Sequence, residues 1–480
     1  MCRFESSLRL PRGQPSTSTF RHILYMLALY IYLRMNRDPN MPQYRTIGGP
    51  RRPFFLRVVF IEAFLAAIGL VAVIRFILGY SSDPFAVTAT KSNAVYPSSL
   101  HGESEAGQNW GRRSLFLTSK QCRKEYPLLF KPIDEGVERG EFEFHRGPDD
   151  YTAFVSARIK NNKHRSAALH QIHKALVTSP EPLPDTVFSF TPVDHPKNNS
   201  WGYSKWYDHT APLNFWPVPH FGHWSWPVKY VGPLHEAFDA VSAIEADLPF
   251  DSKTDKLFWR GTIYFNPIQN ANLRANLITA TSNKEWADID SLQWTALEKS
   301  KNIIQIPEIC RYKYIAYTEG ISYSGRLPFH MLCESIIITP PINYLMHSTH
   351  LIKPLHAWTL GFKSTKPMTA WGVKRMQKAW PVTEGYGASE ANAIFVSPDW
   401  SDLEETILWL RRNPKIARGI ARRQKELYVE KGYLSEGAEM CYWRELIRGW
   451  NKVAIPTGDG WDQLGTPWET YVLRGSTDWN

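Results

Sequence analysis

The sequence predicts an α/β protein with an open sheet, tethered to a membrane by one helix. Three observations carry that expectation: a long apolar run near the amino end, an arginine excess just before it, and short apolar strands alternating with helical segments through the second half of the 480-residue chain. A hydrophobic content of 43% with 21% charged residues excludes disorder throughout. Once the amino-terminal hundred residues are set aside, the remainder suffices for roughly two domains.

The formal charge of +10 sits at the start of the chain. Residues 1–57 hold ten arginines against Glu5 and Asp38, which is +8, and the remaining 46 basic and 44 acidic residues nearly cancel. No basic face for a nucleic-acid backbone is therefore demanded. Residues 58–79 are apolar apart from Glu62 and Arg75, both near the ends, and their length matches one helical crossing of a bilayer. The arginine excess before the span makes residues 1–57 a cytoplasmic basic tail and everything after residue 80 lumenal, a single-pass type II topology. The run His22–Leu33 is too short to span, and Met41, followed closely by Arg45, Arg51 and Arg52, is the expected start of translation.

Beyond the span there are four cysteines, Cys122, Cys310, Cys333 and Cys441, an even number in a compartment that permits disulfides. Asn198-Asn199-Ser200 is a glycosylation sequon usable there. The chain closes on Thr477-Asp478-Trp479-Asn480 without a KDEL-like address, which favours the Golgi membrane.

Residues 80–113 are rich in Ser, Gly, Pro and Asn, the composition of a stem. In the segment Tyr151–Leu176, Ala167, Ile172 and Leu176 share one helical face, and Thr186–Phe190 reads as a short strand with Asp194 four residues past it. The stretch Asn214–Trp226, crowded with aromatics and prolines, fits neither a helical nor a strand period and reads as a rigid loop. Lys256–Trp259 looks like a strand that breaks at Arg260-Gly261-Thr262, and Asn272–Thr281 can form a helix. Next come a strand at Tyr312–Thr318, a turn, a helix at Arg326–Cys333 and a strand at Ile336–Thr339, together a βαβ unit. Ile394–Val396 is another strand. Ser401 with Glu404 has the spacing of a capping box before a helix bearing Leu403, Ile407 and Leu410, which breaks at Asn413-Pro414 and resumes with Ile416 and Ile420.

In such a sheet, ligands bind beyond the carboxyl ends of the strands. Ser324-Gly325-Arg326 falls there, and a serine hydroxyl, a glycine allowing close backbone approach and an arginine fork are suited to a diphosphate. Arg260-Gly261-Thr262 repeats the logic after another strand, and two such turns together neutralise a leaving diphosphate better than one. Asp194 is a candidate general base, and Trp224 and Trp226 are candidate platforms for an acceptor sugar. The metal-like patterns His220-x-x-His223 and Asp288-Ile289-Asp290 lack, respectively, a carboxylate at ligand spacing and a strand pattern leading in, so no metal site is assigned.

Taken together these residues resemble the CAP10-like glycosyltransferases, glycosyltransferase family 90, which includes fungal capsule-associated xylosyltransferases and protein O-glucosyltransferases. The resemblance runs from Asp185 to Ile447. It is most specific over Cys310–Ser335, with its Cys, Tyr-Lys-Tyr, Gly, Ser-x-Arg, Leu, Cys order, and it extends to Phe258–Gly261, Val396–Leu403 and Cys441-Tyr442-Trp443.

The resemblance implies a GT-B fold, two Rossmann-like domains facing a cleft. Residues 114–250 would form the acceptor side, 251–435 the nucleotide-sugar domain, and 436–480 the segment crossing back. It implies inverting, single-displacement transfer of xylose or glucose from a UDP-sugar to a glycan or protein hydroxyl, with no cofactor and no obligatory metal. Asp194 matches the catalytic aspartate, although Val193 stands where the family often has arginine. Arg260 matches the arginine of the Phe-x-Arg-Gly strand, and Ser324 and Arg326 the pair contacting the diphosphate. Cys310 is expected to pair with Cys333 and Cys122 with Cys441. Residues 356–393 form a Lys- and Trp-rich segment that animal members lack. The rival expectation is a non-catalytic carbohydrate-binding Golgi protein that retains the fold.

Overall fold

The computed structural model describes residues 114–145, 163–191, 196–207, 214–226, 230–293, 302–362 and 385–458, all within one compact unit, Ser99–Asn480. The basic tail, the span at 58–79, the stem, Asp194 and residues 363–384 lie outside them. Among the described residues no helix is long and apolar enough to cross a membrane.

The chain opens with helix α1 (Ser119–Glu125), where Thr118 and Gln121 exchange side-chain caps, then α2 (Lys131–Glu138), strand β1 (Phe142–His145) and α3 (Lys163–Val177). The short strands β2 (Phe190–Thr191), β3 (Ser200–Gly202), β4 (Lys205–Trp206) and β5 (Phe215–Pro217) follow. After α4 (Leu234–Ala246) come β6 (Thr254–Gly261), α5 (Leu273–Thr281), β7 (Ala287–Ser291), β8 (Tyr312–Ala316), α6 (Leu327–His330) and β9 (Ile336–Thr339). The remainder is β10 (Tyr344–Leu345), β11 (Pro354–His356), β12 (Ala393–Phe395), α7 (Leu403–Arg412), α8 (Pro414–Lys425), α9 (Glu436–Val453) and β13 (Ala454–Thr457).

Six strands make one parallel sheet in the order β11-β12-β9-β8-β6-β7. Side chains alternate between its faces, so Phe258, Ile315, Ile337 and Phe395 enter one core cluster while Leu257, Trp259, Tyr314, Ile336, Ile338 and Ile394 enter another. Burial on both faces explains why Ile336–Thr339 is a continuous apolar run ending in threonine, as parallel strands are. Helices α5, α7 and α8 cover the second face with Leu277, Leu403, Ile407, Leu410 and Ile420. The first face merges with the amino-terminal half, where β2-β3-β5 form a separate parallel sheet.

Helix α9 joins these parts. Its Trp443, Leu446 and Trp450 lie in the larger cluster, and Arg444, 1% exposed, donates to the carbonyls of Ala175, Leu117 and Leu115. The Cys122–Cys441 disulfide fastens the same helix to α1, and Cys310–Cys333 closes the loop that contains β8. Both pairings agree with those the family resemblance implies.

Several local expectations are corrected. The strand expected over Thr186–Phe190 is confined to Phe190–Thr191, because the Val187 carbonyl accepts from Trp450 Nε1 at 2.8 Å and Phe188 stacks on Trp201. Leu176 is exposed, and the inward face of α3 is Ala168, Gln171, Ile172 and Ala175. The aromatic stretch holds a strand, β5, and a 3-10 turn at Phe221–His223, each too short to show a period. Strand β6 runs through Arg260 and Gly261 instead of breaking before them. The helix expected over Arg326–Cys333 is the single turn Leu327–His330; after it, Leu332 and Cys333 make i to i+3 bonds and Cys333 is held by its disulfide. The Ser401–Glu404 capping box is not formed: α7 starts after Asp402, whose carboxylate turns back to the Ser397 amide at 2.8 Å.

Candidate functional site

The strand order reverses direction beside β6. From β6 the chain adds β7 on one side, then returns to place β8 on the other. The loops leaving β6 and β8 therefore diverge in connectivity while remaining neighbours at the carboxyl ends of the strands, the place where α/β sheets bind ligands. Thr262 begins the first loop, and Ser324, Gly325 and Arg326 lie in the second. Arg326 Nη1 donates to the Arg260 carbonyl, closing one predicted turn against the other.

The Ser324-Gly325-Arg326 turn is fixed from three directions. The Ser324 amide donates to the Tyr317 hydroxyl at 3.0 Å, and Ser324 Oγ accepts from Arg326 Nε at 3.3 Å. Gly325 lies against the amino-terminal half so closely that a Cβ there would sit 2.5 Å from the His220 ring and 2.8 Å from Trp226. His220, one of the two histidines of the metal-like pattern, thus packs over the turn, and its Nδ1 accepts from the Gly222 amide. Its partner His223 contacts Glu439 at 3.5 Å deep in the core. Because α6 is a single turn, the positive character of the site comes from arginine side chains and not from a helix end.

Arg260 points along the sheet. Its Nη2 meets Asp288 Oδ1 at 2.5 Å, Nη1 reaches the carbonyls of Asp288 (2.7 Å) and Trp259 (3.0 Å), and Nε reaches the Asn302 carbonyl at 3.1 Å. Asp288 also accepts from the Tyr312 hydroxyl at 2.6 Å. Burial pushes the Asp288 carboxyl up, but the Tyr312 hydroxyl and Arg260 outweigh it and hold it below the ordinary carboxylate range. The formal D-x-D lies on β7, an edge strand whose polar composition hid it, and its first aspartate is the counter-ion of Arg260. Gly261 has no space for a Cβ, which would meet the Trp259 ring at 2.6 Å.

Sequence reasoning missed Arg274. It lies in the first turn of α5, 4% exposed, and its Nη1 binds the Thr262 carbonyl and hydroxyl at 2.8 and 3.2 Å while Nε binds the Glu319 carbonyl at 3.1 Å. Burial pushes its guanidinium down to about 9, with Arg326 adding to the effect; burial likewise lowers Arg326 to about 10. The available signal was an arginine opening the helix after a candidate phosphate turn, 12 residues beyond Thr262.

Of the two tryptophans expected to meet an acceptor, Trp224 is 39% exposed and stacked on His170 at 4.9 Å. Trp226 is packed among His220, Phe221 and Phe329. Asn198 is exposed, with its Oδ1 accepting from the Asn214 amide. Among the described residues no group of three or more His, Cys, Asp and Glu side chains is arranged to hold a metal.

In comparisons with known proteins, the model of glycosyl transferase family 90 matches residues 154–383. No curated protein matches the chain. The matched stretch contains β6, β8, the Ser324-Gly325-Arg326 turn and Arg274.

Proposed function

Because the chain belongs to glycosyltransferase family 90, we propose that it is an inverting, metal-independent transferase that moves xylose or glucose from a UDP-sugar to a glycan or protein hydroxyl. The observation that carries this reading is the convergence of the β6 and β8 loops at the switch point, with Arg326 spanning them. In the proposed reaction the acceptor oxygen attacks the anomeric carbon, the bond from that carbon to the diphosphate breaks, and UDP leaves with the electron pair. Asp194 takes the acceptor proton. Arg326 meets the charge growing on the diphosphate, the task that a divalent cation performs in other transferases. Arg260 supports that turn through its carbonyl, which accepts from Arg326, while its own guanidinium is taken up by Asp288, Trp259 and Asn302. Trp224 offers its exposed face to the acceptor.

The setting we propose for this reaction is the Golgi lumen, with residues 58–79 as the anchor. Both disulfides are compatible with that compartment.

The test is a panel of UDP-sugars offered to the purified full-length chain, with hydrolysis and transfer as readouts. Turnover of one UDP-sugar that collapses in Asp194→Asn supports the proposal. Turnover unaffected by that substitution removes Asp194 from the mechanism. Absence of any turnover by a protein that still binds glycans would favour a carbohydrate-binding role.

A further inference from the structure

We propose that Arg274 supplies a second positive charge to the donor's diphosphate, facing the same anion as Arg326. The inference rests on reading this site as one for a UDP-sugar.

Three observations lead to it. Arg274 bridges the loops on either side of the switch point, through Thr262 after β6 and Glu319 after β8, so its guanidinium lies at the switch point itself. Its Cζ is 5.8 Å from the centroid of the Trp259 ring, and the Arg326 Cζ is 5.9 Å from the same centroid. Neither arginine has a carboxylate partner among the described residues. The Glu319 side chain, on the residue whose carbonyl Arg274 holds, is turned to the amides of Asn343 and Tyr344 and to Asn343 Nδ2 at 2.7–2.8 Å.

A count of donors separates these arginines from Arg260. Every nitrogen of the Arg260 guanidinium has a protein acceptor. Arg274 Nη2 and Arg326 Nη2 have none among the described residues. Two like charges withdrawn from water without a counter-ion destabilise each other, and burial lowers both guanidiniums accordingly. A diphosphate relieves desolvation and repulsion together, with an oxyanion group for each remaining Nη2.

A bracing role for Arg274 would also weaken binding when lost, so the experiment compares UDP with uridine on the purified full-length chain. Wild type, Arg274→Gln and Arg274→Lys are titrated with each, after thermal melting without ligand has shown that they fold. The expected result is a loss of roughly 10- to 100-fold in UDP affinity for Arg274→Gln, the worth of hydrogen bonds to a charged group. Uridine affinity stays unchanged, and Arg274→Lys recovers part of the UDP affinity. A wild-type ratio of UDP to uridine affinity in Arg274→Gln overturns the proposal, as does a parallel fall in both. If wild type itself shows no preference for UDP over uridine, the donor-site reading fails instead. A measurement on wild type serves if neither variant folds: UDP, and not uridine, should shield Arg274 from phenylglyoxal as read by peptide mass spectrometry. Equal modification with and without UDP overturns the proposal.

Discussion

The two ends of the six-stranded sheet both bury positive charge, and they treat it in opposite ways. At the amino ends, Lys253 precedes β6 and meets Glu245 at 2.5 Å, the Glu334 carbonyl at 2.8 Å and Ser335 Oγ at 3.2 Å. Lys425 reaches the other Glu245 oxygen at 2.6 Å, and the Glu334 amide donates to Glu245 as well. Burial lowers Lys253, and the Glu245 carboxylate opposes that shift. At the carboxyl ends, Arg274 and Arg326 hold only carbonyl and hydroxyl oxygens. The first cluster is closed on itself and can serve only to hold elements together. The second has no carboxylate partner among the described residues, and it is the end at which we propose that the donor's diphosphate binds.

Breaking the closed cluster should have the largest effect. Glu245→Gln removes the carboxylate that contacts both Lys253 and Lys425, leaving Glu334, 3.9 Å from Lys425, as the nearby anion, and should cost ~3–5 kcal/mol of stability, measured by denaturant unfolding. A loss below about 1 kcal/mol would show that the amino ends are held by packing alone.

At the open cluster the sign of the stability effect should differ. Arg326→Ala should remove roughly 2.7–4 kcal/mol of transition-state stabilisation, about 10²- to 10³-fold in kcat, while leaving unfolding in the absence of donor unchanged or slightly harder. Activity retained within about threefold would contradict its assignment to the leaving group.

Ligand should act as the missing counter-ion. UDP at about 100 times its Kd should stabilise the wild-type chain by ~2.7 kcal/mol in thermal melting, and the gain should shrink in Arg326→Ala. An equal gain in both proteins would place the diphosphate elsewhere.

The smallest effect is steric. Gly325→Ala drives a methyl into His220 and should cost ~1–3 kcal/mol of stability, together with a raised KM for the donor as the turn shifts. Full activity and stability would mean that the aromatic segment yields without disturbing the phosphate turn.

Legibility from sequence followed the range of the forces involved. Ile336–Thr339 was read to the residue because a doubly buried strand needs an unbroken apolar run. Helix α5, expected over Asn272–Thr281, forms over Leu273–Thr281, but its buried face mixes Leu273 and Leu277 with Arg274 and Thr281, so apolar spacing does not mark which side turns inward. Strand β7 was hidden because an edge strand need not be apolar, and the aspartate on it that resembled a metal ligand serves as an ion-pair partner. Trp226 stands against His220 and Phe329, neighbours distant enough in structure or sequence that residue type alone does not reveal them.

The sequence by itself determined the α/β alternation, the place of Ser324-Gly325-Arg326 after a strand, and, through family resemblance, the pairing of all four cysteines beyond the apolar run. These follow from local chemistry and from motifs read in order. Only the tertiary structure decided that β8 returns to the far side of β6, that Arg260 is committed to Asp288, and that Arg274 joins Arg326 at the open end of the sheet. Whether a buried charge binds a carboxylate or waits for a ligand depends on groups distant in sequence, and a linear pattern does not record which of them meet.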